Sequence, residues 1–552
     1  MMKKLFTLAL LTGAAFTLPS YAQLGGPARQ FTRADTLRGM LTPLRTCYDI
    51  NYYHLDVKVN IDEKFINGTN LFKFTATQDF KRLQFDLFQA MKIEKILYKG
   101  AELTYTREFN AVFVDFPQMI RKGAKDEFTV IYSGNPAVAR RAPWDGGFVF
   151  SKDQAGKPWV ATAVQGFGAS SWWPTKDHQA DEVDSMLISI SAPKGLMDVS
   201  NGRLRSTQDT GDGYTKFNWF VSYPINNYTV SINIADYAHF SDTYAGEKGP
   251  LTLDFYVLRE DLGKAQKHFG DDVKPMLKSF EYWFGPYPFY RDGYKLVEAP
   301  YLGMEHQSAV TYGNKFMKGY LGSDLSGTGY GMKWDYIIVH ESGHEWFGNN
   351  VTAKDIADMW IHEGFTMYSE GLFVESQEGK EAGAKYIAGV RKRIRNRAPM
   401  IGPYNVNREG ADIYDKGANL LHTVRSVIND DEKWRSILRG LNKDLGLKTT
   451  TTGEVVSYIT KKSGKDLQPV FDQYLRYPNI PDLEYKKENG KVLFRWATDV
   501  KDFKMPIKVK FGETGSWTWI TPTTEWGKSS VKDAASPLVI DTDNFYIKTT
   551  AI

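Results

Sequence analysis

The sequence contains a single cysteine, Cys47, among 552 residues. One thiol cannot form an intramolecular disulfide, so the fold has to be stabilised by packed cores or by a bound metal. The sequence also lacks a large excess of either charge, because 69 lysines and arginines nearly balance 65 aspartates and glutamates and leave a net charge of +4. A balance this even argues against nucleic acid as the partner and favours a small molecule or a peptide.

Long hydrophobic runs are missing after the first 22 residues, where no stretch approaches the ~18 apolar residues that a transmembrane helix requires. The composition, with 42% hydrophobic, 24% charged and 14% aromatic residues, is that of a packed globular chain and excludes extended disorder, collagen and coiled coil. At ~150 residues per domain, the length predicts three or four domains.

The N-terminus has the three parts of a secretory signal peptide. Two lysines at positions 3 and 4 supply a basic start, an apolar run covers residues 5–18, and small residues stand at Ser20 and Ala22. We therefore expect cleavage after residue 22 and a secreted or periplasmic location, since the run is short for a membrane span. An uncleaved membrane anchor is the alternative.

Changes in hydrophobic periodicity predict an α+β multidomain protein. After the signal peptide (1–22) and an N-terminal segment (23–47), short alternating runs predict an antiparallel β-rich domain over 48–245. A second domain over 246–480 is mostly helical after residue 333, and strand-like runs return in a small C-terminal β domain over 481–552. The helices predicted for the second domain cover Leu262–Tyr282, Trp334–Phe347, Glu363–Ser376, Tyr414–Val427, Trp434–Leu441 and Gly453–Ser463.

Two of the nine histidines lie four residues apart, in His340-Glu341-Ser342-Gly343-His344. On an α-helix this spacing turns both imidazoles to one face, where they can share a metal ion. Glu341 lies about 100° from His340 around the axis, within reach of water at the metal without being a ligand. The pattern predicts a metal site with its own base. The alternative is two structural histidines on an amphipathic helix.

A third ligand decides between these interpretations, because catalytic zinc commonly takes three protein ligands. The metzincin pattern does not fit the residues after the second histidine. Glu363, which follows His344 after 18 intervening residues, supplies a carboxylate on the next predicted helix. Two imidazoles and one carboxylate favour zinc over metals that prefer oxygen ligands. His362 is a second candidate ligand, although on a helix it points about 100° away from Glu363. Glu370 is either a carboxylate that orients a ligand imidazole or a solvated one.

These residues resemble the gluzincin aminopeptidases of aminopeptidase N type, a family that includes leukotriene hydrolase. The two histidines, the 18-residue gap and Glu363 match the family's zinc motif. The resemblance extends over about residues 50 to 480 and implies a thermolysin-like α/β catalytic domain that continues into helices, with one zinc ion per chain. Segments that resemble the family are 165–177, 200–202, 223–228, 284–288, 302–306, 344–349, 360–365 and 413–418, the last corresponding to its Tyr-x-Lys-Gly segment.

The resemblance also implies roles for individual residues. Glu341 is the expected general base, and Tyr414 is the expected donor to the carbonyl oxygen under attack. Glu305, in a segment similar to the family's Gly-x-Met-Glu-Asn motif, is the expected partner of a free N-terminal ammonium group. Leu302 replaces the first glycine of that motif and His306 its asparagine, which leaves the shape of the pocket open. The expected substrate-binding residues are Glu305, Gln165, Gly303, Met304 and His306.

The sequence therefore predicts a zinc-dependent aminopeptidase in which water activated by the metal attacks the first peptide bond. Its partners would be peptides with a free N-terminus, with no nucleic acid and no integral membrane segment after signal removal. An endopeptidase or an epoxide hydrolase on the same zinc site is one alternative. An inactive peptide-binding scaffold is another, against which the intact Glu341 and the three ligands argue. The sequence does not determine the oligomeric state, the side-chain preference or the role of the C-terminal β domain.

Overall fold

The computed structural model describes residues 30–527 and 529–552, and the predicted signal peptide lies outside these ranges. Within them, none of the helices combines the length and the apolar character that crossing a membrane takes. The N-terminal region is built mainly of strands, as predicted. Its elements are α1 Arg33–Gly39, α2 Pro43–Thr46, β1 Tyr48–Asn60, β2 Phe65–Ala76, β3 Phe80–Asp86, β4 Met91–Tyr98, β5 Ala101–Glu102, β6 Thr104–Glu108, β7 Ala111–Ile120, β8 Lys125–Gly134, β9 Gly147–Lys152, β10 Pro158–Ala163, β11 Glu182–Val183, β12 Ser185–Pro193, β13 Met197–Asp198, β14 Arg203–Asp209, β15 Tyr214–Val221, β16 Ile225–Asn226 and β17 Asn233–Ala235.

An eight-stranded sheet forms the body of this region, in the order β14-β15-β12-β1-β2-β8-β4-β5. Its strand β1 alternates buried with partly exposed residues, and Leu55 and Val57 are fully buried. Because side chains on a strand alternate between the two faces, this pattern gives the sheet one apolar face. That face packs against the sheet β3-β7-β6, where Phe72 lies 5.5 Å from Phe85 between ring centroids.

One pairing departs from the predicted antiparallel arrangement. Strands β1 and β12 run parallel, with Tyr52 opposite Ser185, whereas β1–β2, β2–β8 and β12–β15 are antiparallel. A parallel pair needs a long crossover, and here the chain from β2 to β11 provides one. Because the partner strand is so far away in the sequence, the alternation within β1 does not reveal its direction.

The second region joins a mixed sheet to a group of helices, so the predicted α+β architecture is confirmed. Its five-stranded sheet has the order β18-β19-β20-β22-β21. The hairpin β18–β19 belongs to this sheet, and the domain boundary predicted between residues 245 and 246 falls inside the hairpin. The elements are β18 Tyr237–Gly246, β19 Gly249–Leu258, α3 Leu262–Phe284, β20 Tyr294–Glu298, β21 Gly303–Met304, β22 Val310–Tyr312, α4 Tyr336–Gly343, β23 Val351–Ala353, α5 Trp360–Glu378, α6 Lys380–Gly389, α7 Asp415–Ile428, α8 Asp431–Asp444, β24 Lys448–Thr450, α9 Thr452–Ser463 and α10 Gln468–Arg476.

Helix α4 is shorter than the predicted helix over 334–347. It begins after Asp335, whose Oδ1 accepts hydrogen bonds from the backbone N–H groups of Ile337 and Ile338 at 3.0 and 3.3 Å. Such an N-cap satisfies amide groups that have no partner within the helix. The helix ends at Gly343 and a turn follows, in which His344 keeps helical dihedrals of −63° and −20°. The four-residue spacing of the histidines therefore still directs both imidazoles to one face.

Helices α5 and α7 approach each other through two glycines. A Cβ atom on Gly417 would lie 2.6 Å from the Cα of Gly364, and a Cβ on Gly364 would lie 3.1 Å from the Cα of Gly417. These separations are too short for any side chain, so only glycine permits this contact. The contact matters for the site because Gly364 follows Glu363 directly and helix α7 begins after Tyr414.

The C-terminal β domain consists of two small sheets, which agrees with the predicted β appendage. One sheet has the order β29-β26-β25-β31 and the other β28-β27-β30. Phe545, which is fully buried, belongs to the same apolar core as the helices of the second region, so the domain is packed onto them. Its strands are β25 Asp482–Glu488, β26 Lys491–Ala497, β27 Ile507–Phe511, β28 Thr518–Ile520, β29 Ser529–Lys532, β30 Leu538–Ile540 and β31 Lys548–Ala551.

We predict that Gly417→Ala lowers the thermal unfolding temperature by a few degrees, because the added methyl group forces two backbones apart at an estimated 1–3 kcal/mol. Gly270→Ala is the matched control, since Gly270 is an exposed position within α3 where a Cβ meets nothing within 4 Å. That variant should gain about 0.5–1 kcal/mol from helix propensity. Calorimetry of both variants checks the pair, and equal shifts would contradict the assigned helix contact.

Candidate metal centre and active site

Helices α4 and α5 bring His340, His344 and Glu363 together in the buried interior. The ligand atoms of the three side chains all lie within 4.8 Å of one another. The Nε2 atoms of His340 and His344 are 3.7 and 3.4 Å from Glu363 Oε2. These separations exceed a normal hydrogen bond, but they are close to the ~3.3 Å between ligands held ~2 Å from a tetrahedral zinc ion.

A buried carboxylate oxygen of Glu363 independently supports a metal ion at this position. Glu363 Oε2 is buried and has no hydrogen-bond partner among the described residues. A buried carboxylate oxygen without a partner is costly, and a cation between the two imidazoles and this oxygen would remove that cost. The three side chains therefore suit zinc, as the sequence predicted.

Both candidate histidine ligands are held through their other ring nitrogen. His340 Nδ1 lies 2.6 Å from Glu370 Oε1, and His344 Nδ1 lies 3.0 Å from the Phe347 carbonyl oxygen. Because these partners accept hydrogen bonds, each Nδ1 carries the proton and each Nε2 is left to bind metal. The structure thus places Glu370 where it orients His340. The Tyr386 hydroxyl donates to the second oxygen of Glu370 at 2.6 Å.

His362 is not brought to this centre. Its Nε2 accepts a hydrogen bond from the backbone N–H of Ala353 at 2.8 Å, which leaves that nitrogen no free lone pair for a metal. Burial lowers the pKa of His362 to about 3 and keeps the ring neutral. His362 is therefore not a metal ligand. Its ring points towards β23, where it accepts a backbone hydrogen bond.

The Glu341 carboxylate lies beside the metal ligands and against strand β21. A Cβ atom on Gly303 would lie 2.9 Å from Glu341 Oε1, so a side chain at this position would force the carboxylate to shift. Ligand atoms of Glu341, Glu305 and His344 lie within 4.8 Å of one another. Burial raises the pKa of Glu341, and the charges of His340 and His344 oppose that rise. Glu341 is thus a desolvated carboxylate next to the centre.

Glu305 is buried next to two hydrogen-bond donors from the N-terminal region. Gln165 Nε2 donates to Glu305 Oε1 at 2.6 Å and lies 3.1 Å from Glu363 Oε1. The Tyr228 hydroxyl donates to Glu305 Oε1 at 3.2 Å. Burial raises the pKa of Glu305 to about 7, while His344 acts in the opposite direction. Tyr228 was not among the predicted site residues, although it ends one of the segments (223–228) that resembled the family.

Residues on the turn after α4 fix the segment that carries Glu305. Asn349 Nδ2 donates to the Glu305 carbonyl oxygen and to Glu345 Oε1, both at 2.9 Å. Both oxygens of Glu345 lie 3.1 Å from the backbone nitrogen of Ser308, which donates to them. The loop between β21 and β22 is therefore tied to the turn that follows His344. Neither Glu345 nor Asn349 was predicted as a site residue, although both lie in segment 344–349, which resembles the family.

The remaining predicted residues differ in their surroundings. Met304 is buried on β21 next to Glu305. His306 is also buried, but neither of its ring nitrogens has a hydrogen-bond partner among the described residues. Burial lowers the pKa of the His306 ring to about 3, and its part in substrate binding beside Glu305 stays a prediction.

Tyr414 lies at the entrance of the site, at the N-terminal end of α7. Its ring stacks on the His340 ring, with centroids 6.0 Å apart and planes 19° apart. It is partly exposed, whereas the three ligand side chains are buried. The Gly364–Gly417 contact holds the first turn of α7 against α5, which sets the position of the phenol relative to Glu363.

Comparisons with known proteins match both regions. Residues 49–228 match the Peptidase M1 N-terminal domain and residues 270–474 the Peptidase family M1 domain. Human aminopeptidase B is 24% identical over 445 residues, which cover 72% of this chain and 63% of that protein. Probable aminopeptidase 1 of Sulfurisphaera tokodaii is 21% identical over 474 residues, which cover 81% and 55%. The chain thus spans a little over half to about two thirds of these relatives.

A solved structure shows the same fold. The M1 zinc metallopeptidase from Deinococcus radiodurans aligns with a TM-score of 0.65 at 19% identity, covering 80% of this chain and 96% of that one.

We predict that Glu370→Gln weakens zinc binding 10- to 100-fold, because a neutral amide holds the His340 ring less firmly than a carboxylate does. Competition with a chromogenic chelator measures the affinity. Glu378→Gln is the control, since Glu378 lies on the same helix but pairs with Lys333 at the surface. An unchanged affinity of Glu370→Gln would show that this hydrogen bond does not support the metal.

Proposed function

Because this chain belongs to peptidase family M1, we propose that it is a zinc-dependent aminopeptidase that removes single residues from the N-terminus of peptides. One observation carries the proposal: Glu305, a buried carboxylate, lies within 4.8 Å of the base Glu341 and the ligand His344, measured between ligand atoms. A metal centre alone would suit many hydrolases. A second buried negative charge at this distance suits substrates that present a positive charge next to the bond to be cleaved.

His340, His344 and Glu363 would hold one zinc ion per chain. Bound zinc supplies a Lewis acid that lowers the pKa of water and polarises a carbonyl group. The orientation of both imidazoles by Glu370 and the Phe347 carbonyl supports this assignment, since ligand histidines usually donate their second N–H in this way.

Glu341 is the proposed general base. Its carboxylate accepts a proton from the attacking water and passes it to the amine that leaves. Tyr414 is the proposed hydrogen-bond donor to the carbonyl oxygen, which gains negative charge during the attack. Its ring next to His340 supports this role, and a donor of this kind contributes about 10²–10³ in turnover.

Glu305 is the proposed partner of the substrate's α-ammonium group, with Gln165 and Tyr228 as neighbours. A buried carboxylate without a cation is costly, so a bound ammonium group would gain from pairing with it. A substrate that continues beyond its α-nitrogen has no positive charge at this point and leaves Glu305 unpaired. This argument favours an aminopeptidase over an endopeptidase on the same metal site.

We predict that Glu341→Gln retains zinc but loses at least about 10³-fold in kcat, because an amide cannot accept the proton. Hydrolysis of a panel of fluorogenic aminoacyl amides, with and without a chelator, measures activity and metal dependence together. Elemental analysis of the same samples shows whether the metal is present. A metal-loaded variant with normal activity would contradict the assignment of the base.

We predict that Glu305→Gln lowers kcat/KM on the order of 10²–10³-fold for substrates with a free amine, since truncating one member of a desolvated charge pair costs about 2–5 kcal/mol. The same substrates with an acetylated N-terminus serve as the internal control, because they carry no ammonium group to lose. The ratio of the two efficiencies is the measurement. If Glu305→Gln leaves that ratio unchanged, the carboxylate does not recognise the N-terminus.

A further inference from the structure

The C-terminal β domain (482–552) lies outside both segments that match the M1 family, the second of which ends at residue 474. It nevertheless contacts segment 391–396, which is hydrogen-bonded to Asp412, two residues before Tyr414. We propose that Tyr546 of this domain is a positioning residue, which fixes Tyr414 through Asn396 and Asp412. The proposal rests on the role given to Tyr414 under the proposed function.

Tyr546 is itself held firmly by the helices of the second region. Its backbone N–H donates to Thr423 Oγ1 at 3.0 Å, and its carbonyl oxygen accepts from the Tyr474 hydroxyl at 2.5 Å. Thr423 belongs to α7 and Tyr474 to α10. The neighbouring Phe545 is fully buried. The Tyr546 hydroxyl is therefore a fixed point and not the end of a loose appendage.

Tyr546 and its neighbours contact segment 391–396, which follows α6. The Tyr546 hydroxyl accepts a hydrogen bond from Asn396 Nδ2 at 2.8 Å. Arg391 lies 5.3 Å from the Tyr546 ring centroid and donates to the carbonyl oxygens of Thr542 and Asp543. The segment 391–396 is thus bound to the C-terminal domain at both ends.

Asp412 connects this segment to the stretch before Tyr414. Its Oδ1 accepts from the backbone N–H of Arg395 at 3.0 Å, and its Oδ2 accepts from the backbone N–H of Asn396 at 2.7 Å. Asn396 and Asp412 have φ values of 52° and 53°. Residues other than glycine adopt this left-handed conformation at a cost, so surrounding contacts have to hold it. The hydrogen bond from Asn396 to Tyr546 is one such contact.

Tyr414 stands between two residues that this network fixes. On one side, the Asp412 carbonyl oxygen accepts from the Lys416 backbone N–H at 3.2 Å. On the other side, Asp415 Oδ2 pairs with Arg393 Nε at 3.2 Å. Displacement of 391–396 would therefore move the backbone on both sides of the Tyr414 phenol. Because catalytic rates fall when a reacting group moves by about an ångström, such a shift would lower kcat.

The test uses Tyr546→Phe and Asn396→Gly in the full-length, zinc-loaded protein. Tyr546→Phe keeps the ring against Arg391 and removes the acceptor oxygen. Asn396→Gly removes the donor, and glycine adopts the same φ without strain. If the network positions Tyr414, each variant should lower kcat about 5- to 10-fold, the size expected from one lost hydrogen bond, with KM and zinc content unchanged. Tyr485→Phe in the same domain, where the ring contacts Phe494, should leave kcat unchanged.

A double-mutant cycle separates positioning from general support. When Tyr414→Phe has removed the donor, Tyr546→Phe should have no further effect on kcat, because its effect is transmitted through the Tyr414 hydroxyl. The proposal is overturned if Tyr546→Phe lowers kcat by the same factor with Tyr414 present and with Tyr414→Phe. It is also overturned if neither Tyr546→Phe nor Asn396→Gly lowers kcat. If Tyr546→Phe does not fold, the cycle of Asn396→Gly with Tyr414→Phe decides by the same criterion.

Failure of the proposed function gives a different result. If Tyr414→Phe alone retains full kcat, the role assigned to Tyr414 is wrong, and the positioning proposal falls with it. If Tyr414→Phe lowers kcat while the two network variants do not, only the positioning proposal fails.

Discussion

Burial of several carboxylates at one point is the constraint on which the rest of the site depends. Ligand atoms of Glu305, Glu341 and His344 lie within 4.8 Å, and so do those of His340, His344 and Glu363. Negative charges packed this closely in a desolvated interior repel one another strongly. Protonation relieves part of this repulsion, since burial raises the pKa of Glu305 and of Glu341, and bound cations relieve the rest. In the proposed function a divalent metal at one end and a substrate ammonium group at the other would supply these cations.

The fold meets this constraint with backbone contacts as much as with side chains. Gly303 leaves room for the Glu341 carboxylate on β21, and the pair Gly364 and Gly417 lets α7 approach α5. A methyl group at Gly303 would crowd the Glu341 carboxylate, and one at Gly417 would press on the backbone of α5 next to Glu363. The hydrogen bond from Asn349 to the Glu305 carbonyl oxygen has a similar effect, because it connects the loop that carries Glu305 to the turn after His344.

The parts of the site that follow local periodicity could be predicted from residue spacing, and Glu305, Gln165 and Tyr414 were predicted through the family resemblance, whereas the individual contacts between distant segments could not be predicted. The spacing of His340 and His344, and of Glu363 and Glu370, is a property of single helices, so their shared faces follow from helical geometry. The Tyr228 hydroxyl contacts Glu305 from another domain, and hydrophobic periodicity does not predict contacts between domains. The parallel pairing of β1 with β12 escaped prediction for the same reason. The surroundings of His306 were also not predictable, since its ring is buried with no hydrogen-bond partner in the part of the chain that the structure describes.

One amide group connects the two carboxylates to which the metal and the substrate N-terminus are assigned. Gln165 Nε2 lies 2.6 Å from Glu305 Oε1 and 3.1 Å from Glu363 Oε1, so a single donor contacts both the proposed ammonium partner and the proposed metal ligand. Glu363 divides its oxygens accordingly, with Oε1 towards Gln165 and Oε2 left for the metal. In a peptide, two bonds separate the α-nitrogen from the carbonyl carbon of the same residue. Under the proposed function, a metal ion at one carboxylate and an α-ammonium group at the other would match this short separation, and cleavage would be restricted to the first peptide bond.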